Sequence, residues 1–256
     1  MPNLCKVLKD LSKETHEWLV AQPEVKEESL TDWLLYELSK RHPRVAYKSF
    51  TRHQEARSTG ADWDWVFVYN DGVVRLRVQA KKLFVGADNY PGLARSNRYG
   101  QQITMLISSA ATFSAYPIYA FYSANSSRTA CGGPGAPAVG VYVCGANRVD
   151  SKLVKVRKQV QPSDAIAISY PMACLACCPN ARGGSAKRLI QQIYGYFESE
   201  FESQEEAGAY QGYSEGIPAS VSAVLNHDFM FPIWWEREFE REYSQVSALV
   251  IVDGRG

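Results

Sequence analysis

Residues 62–81 constrain this chain more than any other stretch. Asp62 to Tyr69 and Val73 to Lys81 read as two strong strands, and Asn70-Asp71-Gly72 between them is a short-range hairpin signal. Side chains alternate along a strand, so Trp63, Trp65, Phe67 and Tyr69 share one face, and Asp62, Asp64, Val66 and Val68 the other. On the second strand Val74, Leu76, Val78 and Ala80 oppose Val73, Arg75, Arg77, Gln79 and Lys81. A two-residue Asp71-Gly72 turn sets Trp63 against Ala80, Trp65 against Val78 and Phe67 against Leu76. The same register sets Asp62 against Lys81 and Asp64 against Gln79. A slip of one residue would mix the apolar and polar sets, which burial forbids.

Directly opposed side chains lie about 4.5–5.5 Å apart at Cβ, close enough to share one ion. Two carboxylates and an amide oxygen form a hard, all-oxygen set suited to Mg²⁺, with Mn²⁺ as an alternative. A lysine beside them can orient or deprotonate an attacking water, or neutralise charge developing on phosphorus. The plain alternative is a surface hairpin with charged cross-strand pairs. Acids gathered at one end of the polar face and basic groups at the other go beyond what such a hairpin requires.

Around the hairpin, Leu30, Trp33, Leu34 and Leu38 recur at helical spacing within Glu27–Arg41, and His42-Pro43 ends that helix. Arg44–Thr51 alternates as a strand. Asn97–Ala111 reads as a helix with Ile103, Leu106, Ile107 and Ala110 inward, and Pro117–Ser123 as a buried strand. The order is α-β-β-β-α-β. Further on, Val139–Cys144 reads as a strand, Lys152–Val160 as a basic strand or helix, and Ser185–Phe201 as a helix. A connection over 204–216 and a short charged helix over Pro232–Gln245 complete the reading.

Gly60-Ala61-Asp62, the hairpin and Gln79-Ala80-Lys81, in that element order, resemble the PD-(D/E)XK nuclease superfamily, in its Mrr-like variant with glutamine in the second motif. The resemblance covers roughly Glu27 to Ser123. It implies a restriction-endonuclease-like α/β fold, with a mixed four- or five-stranded sheet flanked by helices. The nuclease core would occupy residues 1–123, with 124–256 an elaboration packed on it in one compact unit. It implies Asp62 as the metal-binding aspartate, Gln79 in place of the second acidic ligand, the Ala80 carbonyl as an extra ligand and Lys81 as the catalytic lysine. Asp64 is a further metal candidate. Glu28 resembles the first-helix glutamate, whereas helical geometry favours Glu37, which projects between Trp33 and Leu34. Gln101-Gln102 resembles a polar pair facing substrate. The activity implied is that of a Mg²⁺-dependent endodeoxyribonuclease with nucleic acid, DNA in the first instance, as partner. The chain is also similar to uncharacterised bacterial proteins of this superfamily, which implies a role in defence against phage. The alternative is a cleavage-inactive relative acting as a nucleic-acid- or protein-binding assembly subunit.

Composition adds limits. No run of about 18 apolar residues exists to span a bilayer, and the first residues do not form a signal peptide, so no membrane partner and a cytoplasmic address are expected. Residues 1–197 carry 25 basic and 15 acidic side chains, whereas 198–242 carry 11 acidic and two basic. A basic body of this kind suits a polyanion. Its runs are Arg75, Arg77, Lys81 and Lys82; Arg95 and Arg98; Lys152, Lys155, Arg157 and Lys158; and Arg182, Lys187 and Arg188. A free nuclease would be toxic, so a regulatory protein partner or a homo-oligomer is expected. Six cysteines without a signal read as buried reduced thiols. Structural Zn²⁺ at Cys174, Cys177 and Cys178, completed by Cys131 and Cys144, is the less favoured reading. His227-Asp228 reads as a structural turn, Trp234-Trp235 as core, and Cys131–Gly135 lacks the Gly-Lys-Ser/Thr of a phosphate loop.

Overall fold

The hairpin forms with its register displaced by two residues. In a computed structural model the described residues are 3–50, 59–84, 91–94, 96–97, 100–125, 138–157, 159–178, 184–197, 210–227 and 246–255. Strands β2 (Trp63–Tyr69) and β3 (Gly72–Leu83) pair antiparallel with Trp63 opposite Val78, Asp64 opposite Arg77 and Tyr69 opposite Gly72. The turn is therefore Asn70-Asp71, not Asp71-Gly72. Two features move it. The Asp71 carboxylate accepts hydrogen bonds from the Ala186 N–H (2.8 Å) and the Ser185 hydroxyl (2.5 Å), where helix Ala186–Phe197 begins. Gly72, at φ +144°, lies so close to Ser214 that a Cβ there would come within 2.4 Å of its carbonyl oxygen. A displacement of two preserves the faces, so Trp63, Trp65 and Phe67 are buried with Val78, Leu76 and Val74 as the alternation requires.

The remaining strands are β1 (Val45–Ser49), β4 (Ser96–Asn97), β5 (Gly100–Gln101), β6 (Tyr116–Ser123), β7 (Val141–Gly145), β8 (Tyr170–Pro171), β9 (Tyr213–Ser214) and β10 (Ala248–Asp253). The main sheet is mixed, with eight strands in the order β1-β10-β2-β3-β6-β7-β8 and β9 on the start of β3. The expected four or five strands fall short because residues beyond 124 supply β7 to β10 to this same sheet. β10 runs parallel to β2 and antiparallel to β1, separating the two. Its five-residue apolar run Ala248–Val252 is buried, as suits a strand covered on both faces.

Helix α1 (Leu4–Ala21), which the sequence reading left unassigned, starts where the Asn3 side chain accepts the Cys5 N–H at 2.9 Å, and buries Val7, Leu8, Leu11 and Leu19. Helix α2 (Glu27–Arg41) follows the expected bounds and carries acids in its first turn and Lys40 and Arg41 in its last, complementing the helix dipole. Thr31 of α2 hydrogen-bonds the Tyr122 hydroxyl of β6 at 2.9 Å, which seats α2 on the apolar face of the hairpin. Helix α3 (Gln102–Thr112) lies over the other face, taking Arg77 on the Ser109 carbonyl and Arg75 on that of Phe113 just beyond its end. It starts five residues later than expected, because β5 pairs with β4 immediately before it. Of its expected inner face, Ile103, Leu106 and Ala110 are buried and Ile107 is half-buried.

The cysteines depart from expectation. Cys5 of α1 and Cys177 form a disulfide with their Cα atoms 4.7 Å apart, and Cys174 is also disulfide-bonded, so the C-x-x-C-C run is not a thiolate set for Zn²⁺. Cys144 and Cys178 are buried thiols that take no part in a disulfide. The sequence reading missed the bridge because it missed α1, the element that brings Cys5 to Cys177. No helix among the described residues is long and apolar enough to cross a membrane.

Candidate active site

Strand β3 outruns β2. Its pairing with β2 ends at Val78, while its pairing with β6 continues to Leu83, so among the described residues Gln79–Leu83 has one edge without a neighbouring strand. Buried peptide groups on such an edge need other partners. Two carboxylates supply them. Asp62 Oδ2 accepts the Ala80 N–H at 2.7 Å, and Glu27 Oε2 at the start of α2 accepts the Lys82 N–H at 2.6 Å. Asp62 is itself fixed by its main chain, its N–H on the Val78 carbonyl and its carbonyl on the Ser247 N–H, both 2.7 Å. Gly60, at φ +68°, lets this loop close on α3: a Cβ there would lie 2.4 Å from the Gln102 carbonyl oxygen.

Side-chain amides complete the cluster. Gln79 Nε2 donates to Asp62 Oδ2 at 2.5 Å and to the Ala80 carbonyl at 3.0 Å, while Gln102 Nε2 donates to Gln79 Oε1 at 2.7 Å. Gln102 Oε1 is buried and has no hydrogen-bond partner. Lys81 is only 7% exposed, and its ammonium makes no hydrogen bond or ion pair among the described residues. It acts on Asp62 and Glu27 through its charge alone.

Burial pushes the Asp62 carboxyl up to about 7; the Ala80 N–H and the Lys81 charge oppose the rise, and Glu27 and Glu28 add to it. Burial likewise raises Glu27 against the pull of Lys81 and the Lys82 N–H. A buried ammonium with no partner among the described residues thus lies beside two carboxyls that burial raises above their ordinary range.

Asp62, Gln79 and the Ala80 carbonyl meet directly, with Lys81 near enough for its charge to act on Asp62, and other candidates lie elsewhere. Asp64 is not an available ligand. Fully buried, it is held by Arg77 (2.8 Å to Oδ1, 3.0 Å to Oδ2) and Arg75 (2.6 Å to Oδ2). Burial alone would raise its carboxyl, but the two guanidinium charges hold it below the usual range. The same triad removes Arg75 and Arg77 from the phosphate-binding candidates. Lys82 leaves them too: its ammonium reaches the carbonyls of Pro23 and Val25. Glu37 is bound by Arg41 at 2.8 Å and Lys40 at 3.3 Å, with Arg41 bridging on to Glu14 of α1, so it clamps two helices. Glu28 is exposed and reaches Asp62 only through its charge. Gln101 instead lines a cavity of about 510 Å³ between α3 and Asn147–Lys155. Lys155 and Arg157 form exposed pairs with Asp150 and Asp164. Arg95, Arg98, Lys158, Arg182, Cys131, Trp234 and Trp235 lie outside the described residues.

Glu27 is the residue that sequence reasoning missed. Its signal was present: Glu27, Thr31, Leu34 and Leu38 form the inward stripe of α2, whereas Glu28 shares a line with the outward Asp32.

Among the described residues no three His, Cys, Asp or Glu side chains lie close enough together to hold a metal ion. The donor set at Asp62 is of another kind, one carboxylate with neutral oxygens. Gln79 Nε2 sits as a donor against Asp62 Oδ2 and the Ala80 carbonyl. Turning that amide end for end would gather three oxygens at one point, a hard set that fits Mg²⁺ or Mn²⁺.

By fold and site this is a mixed α/β protein whose overhanging central strand is capped by carboxylates around a buried lysine. A model of the family described as "Family of unknown function (DUF6615)" matches residues 4–253, and the chain belongs to that family. No curated protein and no solved structure matches the chain.

Proposed function

We propose that this protein is a divalent-metal-dependent nuclease that hydrolyses phosphodiester bonds, acting as a DNA endonuclease. The observation that carries the reading is the convergence of Asp62, Gln79 and the Ala80 carbonyl beside the ammonium of Lys81, which has no partner among the described residues. Asp62 Oδ, Gln79 Oε1 and the Ala80 carbonyl oxygen would hold Mg²⁺ or Mn²⁺. Bound there, the ion supplies Lewis-acid polarisation of a phosphate and a more acidic water. The chain's own residues do the rest. Lys81 donates hydrogen bonds to the attacking water and to the phosphate oxygen that gathers charge. Glu27 keeps the ammonium near the site through its opposite charge.

Incubating purified protein with supercoiled, linear and single-stranded DNA in Mg²⁺ or Mn²⁺ tests this. The expected result is metal-dependent cleavage by the wild type, abolished in Lys81→Ala, while cation binding persists. Intact DNA in every condition, or equal cleavage by Lys81→Ala, overturns the proposal. Intact DNA that is nevertheless bound would support the cleavage-inactive binding subunit.

A further inference from the structure

Two glutamine side chains meet in this cluster, and their donors and acceptors do not balance. Gln79 uses both ends of its amide: Nε2 on Asp62 and the Ala80 carbonyl, Oε1 on Gln102 Nε2. Gln102 uses one. Its Nε2 is engaged and its Oε1 is buried without a partner. With Oε1 unpaired, no hydrogen bond on that side is lost when the Gln102 amide turns.

We propose that Gln102 is a positioning residue that sets which end of the Gln79 amide faces Asp62, the pair switching together when a divalent cation binds. The inference rests on the cation site described under the proposed function. In the arrangement described above, Gln79 presents its NH₂ to Asp62 and the Ala80 carbonyl, satisfying two oxygens that would otherwise face each other. An NH₂ set against two oxygens suits a site without a cation. In the other, Gln79 presents Oε1 to that position and its NH₂ turns toward α3. The group there that can accept it is the Gln102 amide, once it too has turned to present Oε1 in place of Nε2. Amide O and N are nearly equal in size, so the exchange needs no backbone movement. A glutamate at 79 would need no such partner, being an acceptor at both ends. A glutamine there depends on a neighbour able to both donate and accept, and Gln102 is that neighbour.

Side-chain NMR of the full chain labelled with ¹⁵N-glutamine, alongside backbone ¹⁵N spectra, tests this with Mg²⁺ as the probe. Wild-type protein is expected to show the Gln79 and Gln102 side-chain NH₂ signals shifting together with the Ala80 backbone N–H. Gln102→Glu, which can only accept, turns Gln79 in advance. Its Gln79 signal without Mg²⁺ should therefore lie where the wild type's lies at saturation, and the Mg²⁺ Kd should fall roughly tenfold, one hydrogen bond's worth. The added charge alone would tighten binding but would not move the Gln79 signal in cation-free protein. If Ala80 responds to Mg²⁺ while the Gln102 side chain does not, or if Gln102→Glu leaves Gln79 at its cation-free position, the switch is refuted and the cation site stands. If nothing responds to Mg²⁺ or Mn²⁺, the cation site fails and the switch with it.

Discussion

Replacing Asp62 by asparagine should make the metal-free protein more stable. Burial pushes the Asp62 carboxyl from 3.8 to about 7, so the folded chain prefers it neutral and keeps its proton over a pH range in which the unfolded chain has lost it. Wild-type stability from this group is therefore greatest below pH 4, declines through the window from 4 to 7, and stays low above it. Such a displacement is worth at most about 4 kcal/mol at pH 8. As a residue Asp62 keeps some contact with solvent, and relaxation in the folded state spares part of that, which leaves about 2 kcal/mol. Asparagine keeps an oxygen for the Ala80 N–H and removes the charge. In EDTA at pH 8 the variant should melt about 5 °C above wild type for a domain of this size. Paired urea titrations from pH 4 to 8 should show the gap opening between 4 and 7 and holding level beyond. A variant less stable than wild type at pH 8, or a gap that ignores pH, would refute the electrostatic account of the site.

Asp64→Asn should act in the opposite sense, because it leaves Arg77 buried and uncompensated; a loss of about 3–5 kcal/mol is expected in denaturant titrations, with or without divalent cation. Glu37→Ala should cost under about 1 kcal/mol and leave any cleavage unchanged, since the residue joins α1 to α2 through a partly exposed network. Cys5→Ser should lower stability by about 2–5 kcal/mol under oxidising conditions, and the difference should vanish in reductant.

The parts legible in the sequence were those governed by local pattern. Strict alternation over Asp62–Lys81 assigns the faces of β2 and β3 correctly, because burial of Trp63, Trp65 and Phe67 tolerates only even displacements. The exact register was not legible. It is set by the helix start at Ala186 and the crossing of β9, contacts more than a hundred residues away in sequence. Asp64 shows the same limit within the site. It shares a face with Gln79, as alternation requires, yet Arg75 and Arg77 on that same face claim it first. Periodicity locates a carboxylate on a surface; it does not rank the cations that compete for it. Strand β10 is a short apolar run with no alternation, and α1 lies ahead of the recognisable motifs, so neither carried a signal tied to the hairpin.

The place of β10 has a consequence in time. Trp63 waits for a partner, Ala248, that emerges from the ribosome roughly 185 residues later, on the order of 10–40 s at ordinary rates of synthesis. Until β10 arrives, the Asp62 carbonyl has no Ser247 N–H to hold it, and β2 shows an unpaired edge. The carboxylate at the centre of the cluster is thus anchored late, by a distant strand. A growing chain carries all of Asp62, Gln79 and Lys81 long before that anchor is available.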